Sequence, residues 1–353
     1  VSRPIRLFEV GWRRNEWGPL LEASKRIELR RVELSPRIAG SAFPLLFARA
    51  LRSAVRFRPD LVLVESIGPE GLLGPILRRV LGVPYALRLR GDPWEELRDR
   101  GAEIPWRDRL VKGSVATIGG RLARQADAIL PISMRGARRV EEEIGRGAVC
   151  RPVPNPALRL DRPPVDLSAG PTPPLLSVTN FHFRAKIRPL VEAIRQLAPL
   201  LAERRIEWTI LGKGWFLDSC REEVRAISPQ VRLVGWADAE AQYARGALLL
   251  HFSALDGLPN VLLEGAAAGL PVVVNRGSPF DEFVLDGVNA LAVDLGRPGE
   301  LPAAVGRLLD DPPFRQRLGR SARCWAESRL SRDRVGREVE EALEACVEGA
   351  RPG

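Results

Sequence analysis

Strand-like apolar runs alternate with helix-like segments along almost the whole of this chain, and that alternation restricts it to the α/β class. In the first half IRLFEV, LVLVES, PYALRLR and ADAILPIS are followed in turn by LLEASKRIE, GLLGPILRRVLG, an irregular acidic and aromatic stretch, and MRGARRVEEEIG. In the second half PLLSVT, EWTILG, VRLVGW and LLLHFSA alternate with IRPLVEAIRQLAPLLAE, FLDSCREEVRAI, DAEAQYARGA and a helix over Asn260 to Ala268. Strands joined through helices form parallel, doubly wound sheets. Between the halves, Arg151 to Pro174 carries Pro152, Pro154, Pro156, Pro163, Pro164, Pro171, Pro173 and Pro174. Proline lacks an N–H and locks φ, so this stretch predicts a stiff, extended linker. The pattern divides the chain into a Rossmann-like domain over 1–165, a second over 166–331 and a terminal helical segment over 332–353. Two α/β domains on a hinge predict a cleft that closes around substrate.

Composition narrows the function. At 353 residues and 45% apolar content the chain can build two cores. No GxGxxG follows the first strand, which removes the main support for a nicotinamide or flavin enzyme. The four cysteines, Cys150, Cys220, Cys324 and Cys346, form no CxxC pair, consistent with a reduced, cytoplasmic protein. His182 and His251 are the only histidines, so no three-histidine metal site can form, and we expect no metal and no cofactor. No uninterrupted apolar run is long enough to span a bilayer, and the amino-terminal residues lack a signal-peptide apolar core.

The net charge of +10 is unevenly placed. Residues 1–168 hold 31 Lys and Arg against 20 Asp and Glu, whereas residues 169–353 hold 23 against 24. A basic first half fits an anionic partner: acidic phospholipid, a lipid-linked diphosphate or nucleic acid. No helix-turn-helix, zinc or aromatic RNA-binding motif accompanies it, so nucleic acid is not expected. Ile38 to Arg58 combines an apolar body with Arg49, Arg52, Arg56 and Arg58. Peripheral contact with a membrane face and packing as an ordinary surface helix account for that stretch equally.

The most informative segment is SALDGLPNVLLEGAAAGLPVVV, in which Asp256 and Glu264 stand eight positions apart. A buried strand ends, Asp256-Gly257 turns, and a helix opens near Asn260, so a strand end meets a helix N-terminus, where phosphate is favoured. Pro259 has no N–H, which leaves Gly257, Leu258, Asn260 and Val261 as backbone donors.

This segment resembles the acid-x7-Glu motif of retaining glycosyltransferases of the GT-B fold, glycosyltransferase family 4, with Asp256 where Glu is usual. RPDLVLVES, GVPYALRLRGD, ADAILPIS and PVPNP resemble successive landmarks of the family's acceptor-side domain, and NRGSPFDEFVLDGVNALAVD, with Glu282 and Gly287, resembles its closing donor-site segment. The resemblance implies two Rossmann-like domains facing across a cleft, with the last helix crossing back to the first domain. It also implies transfer of a sugar, with retention, from a UDP- or GDP-linked donor to an acceptor hydroxyl. Arg184 and Lys186 would neutralise the diphosphate from a loop ahead of a helix, Asp256 would lie near the transferred sugar, and Glu264 would bind ribose. Gly212 would let the backbone approach the donor, Val234 and Trp236 would lie near the base, and Arg88, Arg90 and Asp92 would meet the acceptor. Arg90-Gly91 stands where many members have His-Gly, so an arginine–carboxylate pair would replace a histidine contact. An anionic or lipid-linked acceptor at a cytosolic membrane face fits the basic half. A sugar-nucleotide epimerase of the same fold and a catalytically silent partner subunit are the competing readings.

Overall fold

The computed structural model describes residues 3–12, 15–34, 43–65, 67–99, 118–145, 149–167, 173–277 and 282–349. The chain packs as two units, one comprising Val1–Leu97, Gly101–Pro156 and Arg332–Gly353, the other Arg98–Arg100 and Ala157–Ser331.

Unit 1 contains β1 (Ile5–Trp12), α1 (Gly18–Ala23), β2 (Ile27–Leu34), α2 (Phe43–Phe57), β3 (Leu61–Val64), α3 (Leu73–Leu81), β4 (Tyr85–Leu89), α4 (Pro93–Asp99, whose end groups with unit 2), α5 (118–125), β5 (Ala128–Pro131), α6 (Met134–Ile144) and β6 (Val149–Cys150). Its sheet has the order β2-β1-β3-β4-β5-β6, every pair parallel. The strand period separates two apolar faces. Phe8, Val10, Val62 and Val64 pack against Ala50, Ala54 and Phe57 of α2 and Leu73 and Leu77 of α3. Leu7, Leu61 and Leu63 point the other way, onto Trp17 and Leu21 and onto Val335, Val339 and Leu343 of the last helix, α13 (Arg332–Gly349).

Strand β2 corrects the reading of LLEASKRIE as one helical segment. The helix stops at Ala23, and IELRRVEL forms an edge strand in register with β1, Ile5 opposite Ile27. An edge strand keeps charged residues on its open side, so its period-2 signal is diluted by Glu28, Arg30 and Arg31.

Unit 2 contains β7 (Leu175–Asn180), α7 (Arg184–Arg204), β8 (Trp208–Lys213), α8 (Leu217–Ile227), β9 (Val231–Gly235), α9 (Ala239–Tyr243), β10 (Leu248–His251), α10 (Asn260–Ala268), β11 (Val272–Asn275), β12 (Leu291–Val293), α11 (Glu300–Asp310) and α12 (Pro312–Leu330). The sheet order is β12-β11-β10-β7-β8-β9, again parallel throughout. Within the motif EGAAAGLP, a Cβ on Gly265 would fall 2.3 Å from Leu249 Cδ2, so a larger residue there would have to displace the Leu249 side chain between α10 and β10.

Among its described residues the proline-rich stretch has no regular element apart from one 3-10 turn, Leu158–Asp161, and it is anchored rather than free. The Val153 N–H donates to Pro131 O on unit 1 at 2.8 Å. From Ala157 onward it lies on unit 2, where buried Arg159 pairs with Glu240 at 3.0 Å and the Val165 N–H donates to Ala268 O at 2.8 Å. That packing moves the division from 165 to Pro156.

Candidate functional site

In unit 2 the chain runs β7, β8, β9 in one direction and then returns to place β10 on the other side of β7. Neighbouring strands whose connections leave in opposite directions open a crevice at their carboxyl ends, where ligands of open α/β sheets bind. At this point the loop after β7 leads into α7 and the loop after β10 leads into α10. The loop after β10 is joined directly to the first turn of α7: the Ala254 N–H donates to Ala185 O at 2.9 Å. Asn275, at the end of β11, clamps Ser253 by accepting from its N–H at 2.9 Å and donating to its carbonyl at 3.1 Å.

This bracing brings Lys186 and Asp256 together. Lys186 Nζ donates to Asp256 Oδ1 at 2.5 Å, and the two side chains are only 16% and 10% exposed. The second carboxylate oxygen lies 3.3 Å from His251 Nε2, on the last residue of β10. Burial alone would push the Asp256 carboxyl up, but Lys186 and His251 outweigh it and hold the group down at about 2. An ionised carboxylate can only accept, so Nε2 carries the proton in this contact. His251 is a site residue that the sequence reading passed over. Its signal is a histidine closing the apolar run ALLLH five positions before Asp256.

Arg184 and Lys186 occupy the first turn of α7, which corrects their expected place in the preceding loop. Arg184 lies 4.8 Å over the Phe216 ring and Lys186 Nζ 5.8 Å from the Phe183 ring centre. No acidic residue stands in the first turn of α7 or of α10. Two cations at the positive end of a 21-residue helix therefore concentrate positive potential beside Asp256. Leu258 and Val261 are buried, Gly257 and Asn260 half-buried, and Pro259 is the N-cap of α10.

Glu264 lies within α10 and accepts from the Tyr243 hydroxyl at 2.9 Å. Burial and the adjacent Glu264 charge drive the Tyr243 hydroxyl well above its usual pKa, so it remains a donor. Val234 and Trp236, at the carboxyl end of β9, are 52% and 72% exposed, leaving the indole open to stacking. Glu282 is exposed, and the turn behind it is tied by Asn289, which accepts from the Leu285 N–H at 2.7 Å and donates to Phe283 O at 2.6 Å. Pro279, Phe280 and Asp281 of this segment fall outside the described residues.

The glycines of LGKGW have a local cause. A Cβ on Gly212 would come within 2.1 Å of Thr179 O, and one on Gly214 within 2.1 Å of the Phe181 carbonyl carbon. The chain's own β7 and the loop after it require them.

Unit 1 has its own switch point between β1 and β3, and there the expectation for Arg88 is corrected. Arg88 is fully buried, so it cannot meet an acceptor as expected. Its guanidinium bonds Glu65, Glu16 at 3.2 Å and Asn155 at 2.8 Å, and stacks 4.1 Å over Trp17. Arg90 pairs with Glu16 at 2.7 Å, not with Asp92. Asp92 instead accepts from the Glu95 N–H at 2.9 Å and pairs with Arg139 at 3.2 Å, anchoring the start of α4. Glu9, also buried, pairs with Arg31 at 2.5 Å. Burial pushes the Glu9 carboxyl up, with Arg31 opposing, whereas Arg90 and Arg88 overcome burial at Glu16 and hold it down. Arg88 in β4 and Arg90 just past its end both reach Glu16, on one side as the sequence predicts, but the groups that consume Arg88 come from three other segments. Arg13 and Arg14 of the first loop fall outside the described residues.

Among the described residues no group of three or more His, Cys, Asp and Glu side chains is placed to hold a metal ion, and no helix is long and apolar enough to cross a membrane.

Two family models cover most of the chain: a glycosyl transferase 4-like domain over residues 10–156 and glycosyl transferases group 1 over residues 172–311. A viral protein described as a putative glycosyltransferase, ORF31 of the isolate Australia/Victoria, is 33% identical over 110 residues, 31% of this chain and 35% of its own length. The GDP-mannose-dependent alpha-(1-6)-phosphatidylinositol monomannoside mannosyltransferase of Mycolicibacterium smegmatis is 25% identical over 309 residues, covering 80% of this chain and 76% of its own. The chain thus spans about a third of the first of these relatives and about three quarters of the second. Among solved structures, Anabaena Alr3699/HepE in complex with UDP superposes with a TM-score of 0.70 at 16% identity, covering 97% of this chain and 100% of that one. With its paired parallel sheets and both family models matched, the chain belongs to the group 1, family 4 glycosyltransferases of the GT-B fold.

Proposed function

We infer that this protein transfers a glycosyl unit from a nucleotide-diphosphate sugar to an acceptor hydroxyl, with retention at the anomeric carbon. The observation that carries this reading is the Lys186–Asp256 pair at the switch point of unit 2, beside the N-termini of α7 and α10. Lys186 and Arg184 hold the donor diphosphate and stabilise it most as negative charge builds on the departing phosphate. A phosphate oxygen of the leaving group takes the acceptor proton on the face from which it departs, so the new bond forms on that same face. Asp256 orients the donor sugar. Glu264, fixed by Tyr243, accepts from the ribose hydroxyls, Trp236 stacks on the base beside Val234, and Gly257, Leu258, Asn260 and Val261 supply backbone contacts, with Glu282 closing the donor site. Arg90 and Asp92 serve the acceptor side of unit 1.

The donor is UDP- or GDP-linked: the solved relative binds UDP, and the mycobacterial relative is GDP-mannose-dependent. A lipid-linked or otherwise anionic acceptor at the cytosolic membrane face is supported by the basic first half and by the phosphatidylinositol mannoside named for that same relative. The test is calorimetric titration of the protein with UDP, GDP, ADP and their sugars, repeated with Lys186→Ala and Glu264→Ala. One nucleotide should bind at micromolar affinity and lose affinity in both variants. Binding of none would refute the donor site, and tight binding without turnover on any acceptor would favour a silent scaffold. The anomeric configuration of the product, read by NMR, tests retention.

A further inference from the structure

A cavity of about 760 Å³ opens in unit 1 between α2 and the edge of the sheet, lined by Arg6, Arg30, Arg49, Arg52 and Arg56 with Phe57 and Leu45. It lies toward the amino ends of β1 and β2, since Arg6 and Glu28 face each other one pair after the strands begin. The switch point that gathers Glu65 and Arg88 is at the opposite, carboxyl end. The cavity is therefore separate from the sheet end where substrates of this architecture bind.

Its charge is compensated only in part among the described residues. Five arginines line it against a single acid, Glu28, which lies 3.3 Å from Arg6. Among the described residues no carboxylate pairs with Arg30, Arg49, Arg52 or Arg56, whereas Arg31, Arg78, Arg88 and Arg90 of the same unit all have acidic partners. Clustered guanidinium groups repel one another, and an anion between them removes that repulsion. The arrangement is also held in place: Arg6 and Arg30 stack over the Phe57 ring at 4.6 and 5.8 Å. Arg49, Arg52 and Arg56 follow at helical spacing on one face of α2. Guanidinium forks match phosphate oxygens in bidentate fashion.

We propose that this cavity is a second anion site that takes a multiply charged phosphate group, supplied by the headgroup of an anionic lipid. The lipid source is favoured by apolar side chains on the same helix, Leu45 at 75% exposure on the cavity rim and Val55 at 47%. This inference does not depend on glycosyl transfer.

The test uses the full chain and the triple variant Arg49→Gln/Arg52→Gln/Arg56→Gln, all three positions exposed on α2. A control triple, Arg195→Gln/Arg204→Gln/Arg232→Gln, removes the same charge from unit 2. Co-sedimentation with vesicles containing phosphatidic acid in phosphatidylcholine should show binding that falls about fivefold per cavity arginine removed, about a hundredfold in all, and little in the control. Calorimetry with inorganic pyrophosphate, in a Lys186→Ala background that disables the donor site, reads the soluble source. Pyrophosphate binding lost in the cavity triple, without vesicle binding, would retain the anion site and overturn the lipid source. Binding to neither, or equal losses in cavity and control triples, would overturn the site, and a melting curve on each variant separates these results from unfolding.

Discussion

Lys186 and Asp256 form a close ion pair at 2.5 Å, and His251 contacts the other oxygen of the same carboxylate at 3.3 Å. The carboxylate thus holds a cation and a ring in fixed positions at the mouth of two adjacent strands. Lys186→Ala should reduce turnover by roughly 10²–10³-fold, as expected for loss of one preorganised charge facing the leaving group. Donor affinity should fall less, which steady-state kinetics with the matching nucleotide sugar will separate. Equal losses in turnover and affinity would show that Lys186 binds the ground state alone.

Asp256 also makes stability depend on pH in a defined window. Its folded pKa of about 2 lies below the ordinary value of 3.8, so the unfolded chain takes up the proton first as pH falls. The stabilisation is complete above pH 3.8 and is lost as pH drops through about 2. Its size is on the order of 2 kcal/mol. Urea titrations from pH 5 to pH 2 should show this slope in the wild type and a shallower one in Asp256→Asn.

Tyr243→Phe removes the hydroxyl that orients Glu264 at 2.9 Å while preserving the ring's packing. Nucleotide affinity should fall about fivefold, the effect of one hydrogen bond, with turnover at saturating donor nearly unchanged. Glu264→Ala should cost about tenfold or more in affinity. Calorimetry with the free nucleoside diphosphate distinguishes the two.

Arg88→Ala strands Glu65 as a buried carboxylate without its guanidinium, a change worth about 3–5 kcal/mol. The loss should be confined to unit 1. Hydrogen exchange should speed up in peptides from β1, β3 and β4, while α7 and α10 keep their protection. A variant that left unit 1 intact but abolished acceptor use would return Arg88 to the acceptor role.

The parallel α/β architecture was readable because each buried strand is a short apolar run between helices of different period. One exception, β2, failed for a physical reason: on a sheet edge half of its side chains face water, and its charges resemble those of a surface helix. The strand, turn and helix of the acid-x7-Glu segment were likewise legible, since Asp256 and Glu264 lie on one continuous loop and helix whose turns are spelled out by Gly257, Pro259 and Gly269. Positions distant in sequence were another matter. That Lys186 reaches Asp256 follows from β7 and β10 being neighbours in the sheet, and strand order is set by long-range packing that no local pattern encodes. The same holds for Arg88, which by its alternation is an arginine at a strand end. Only the fold brings Glu16, Glu65 and Asn155 around it and converts a candidate ligand contact into a buried charge network.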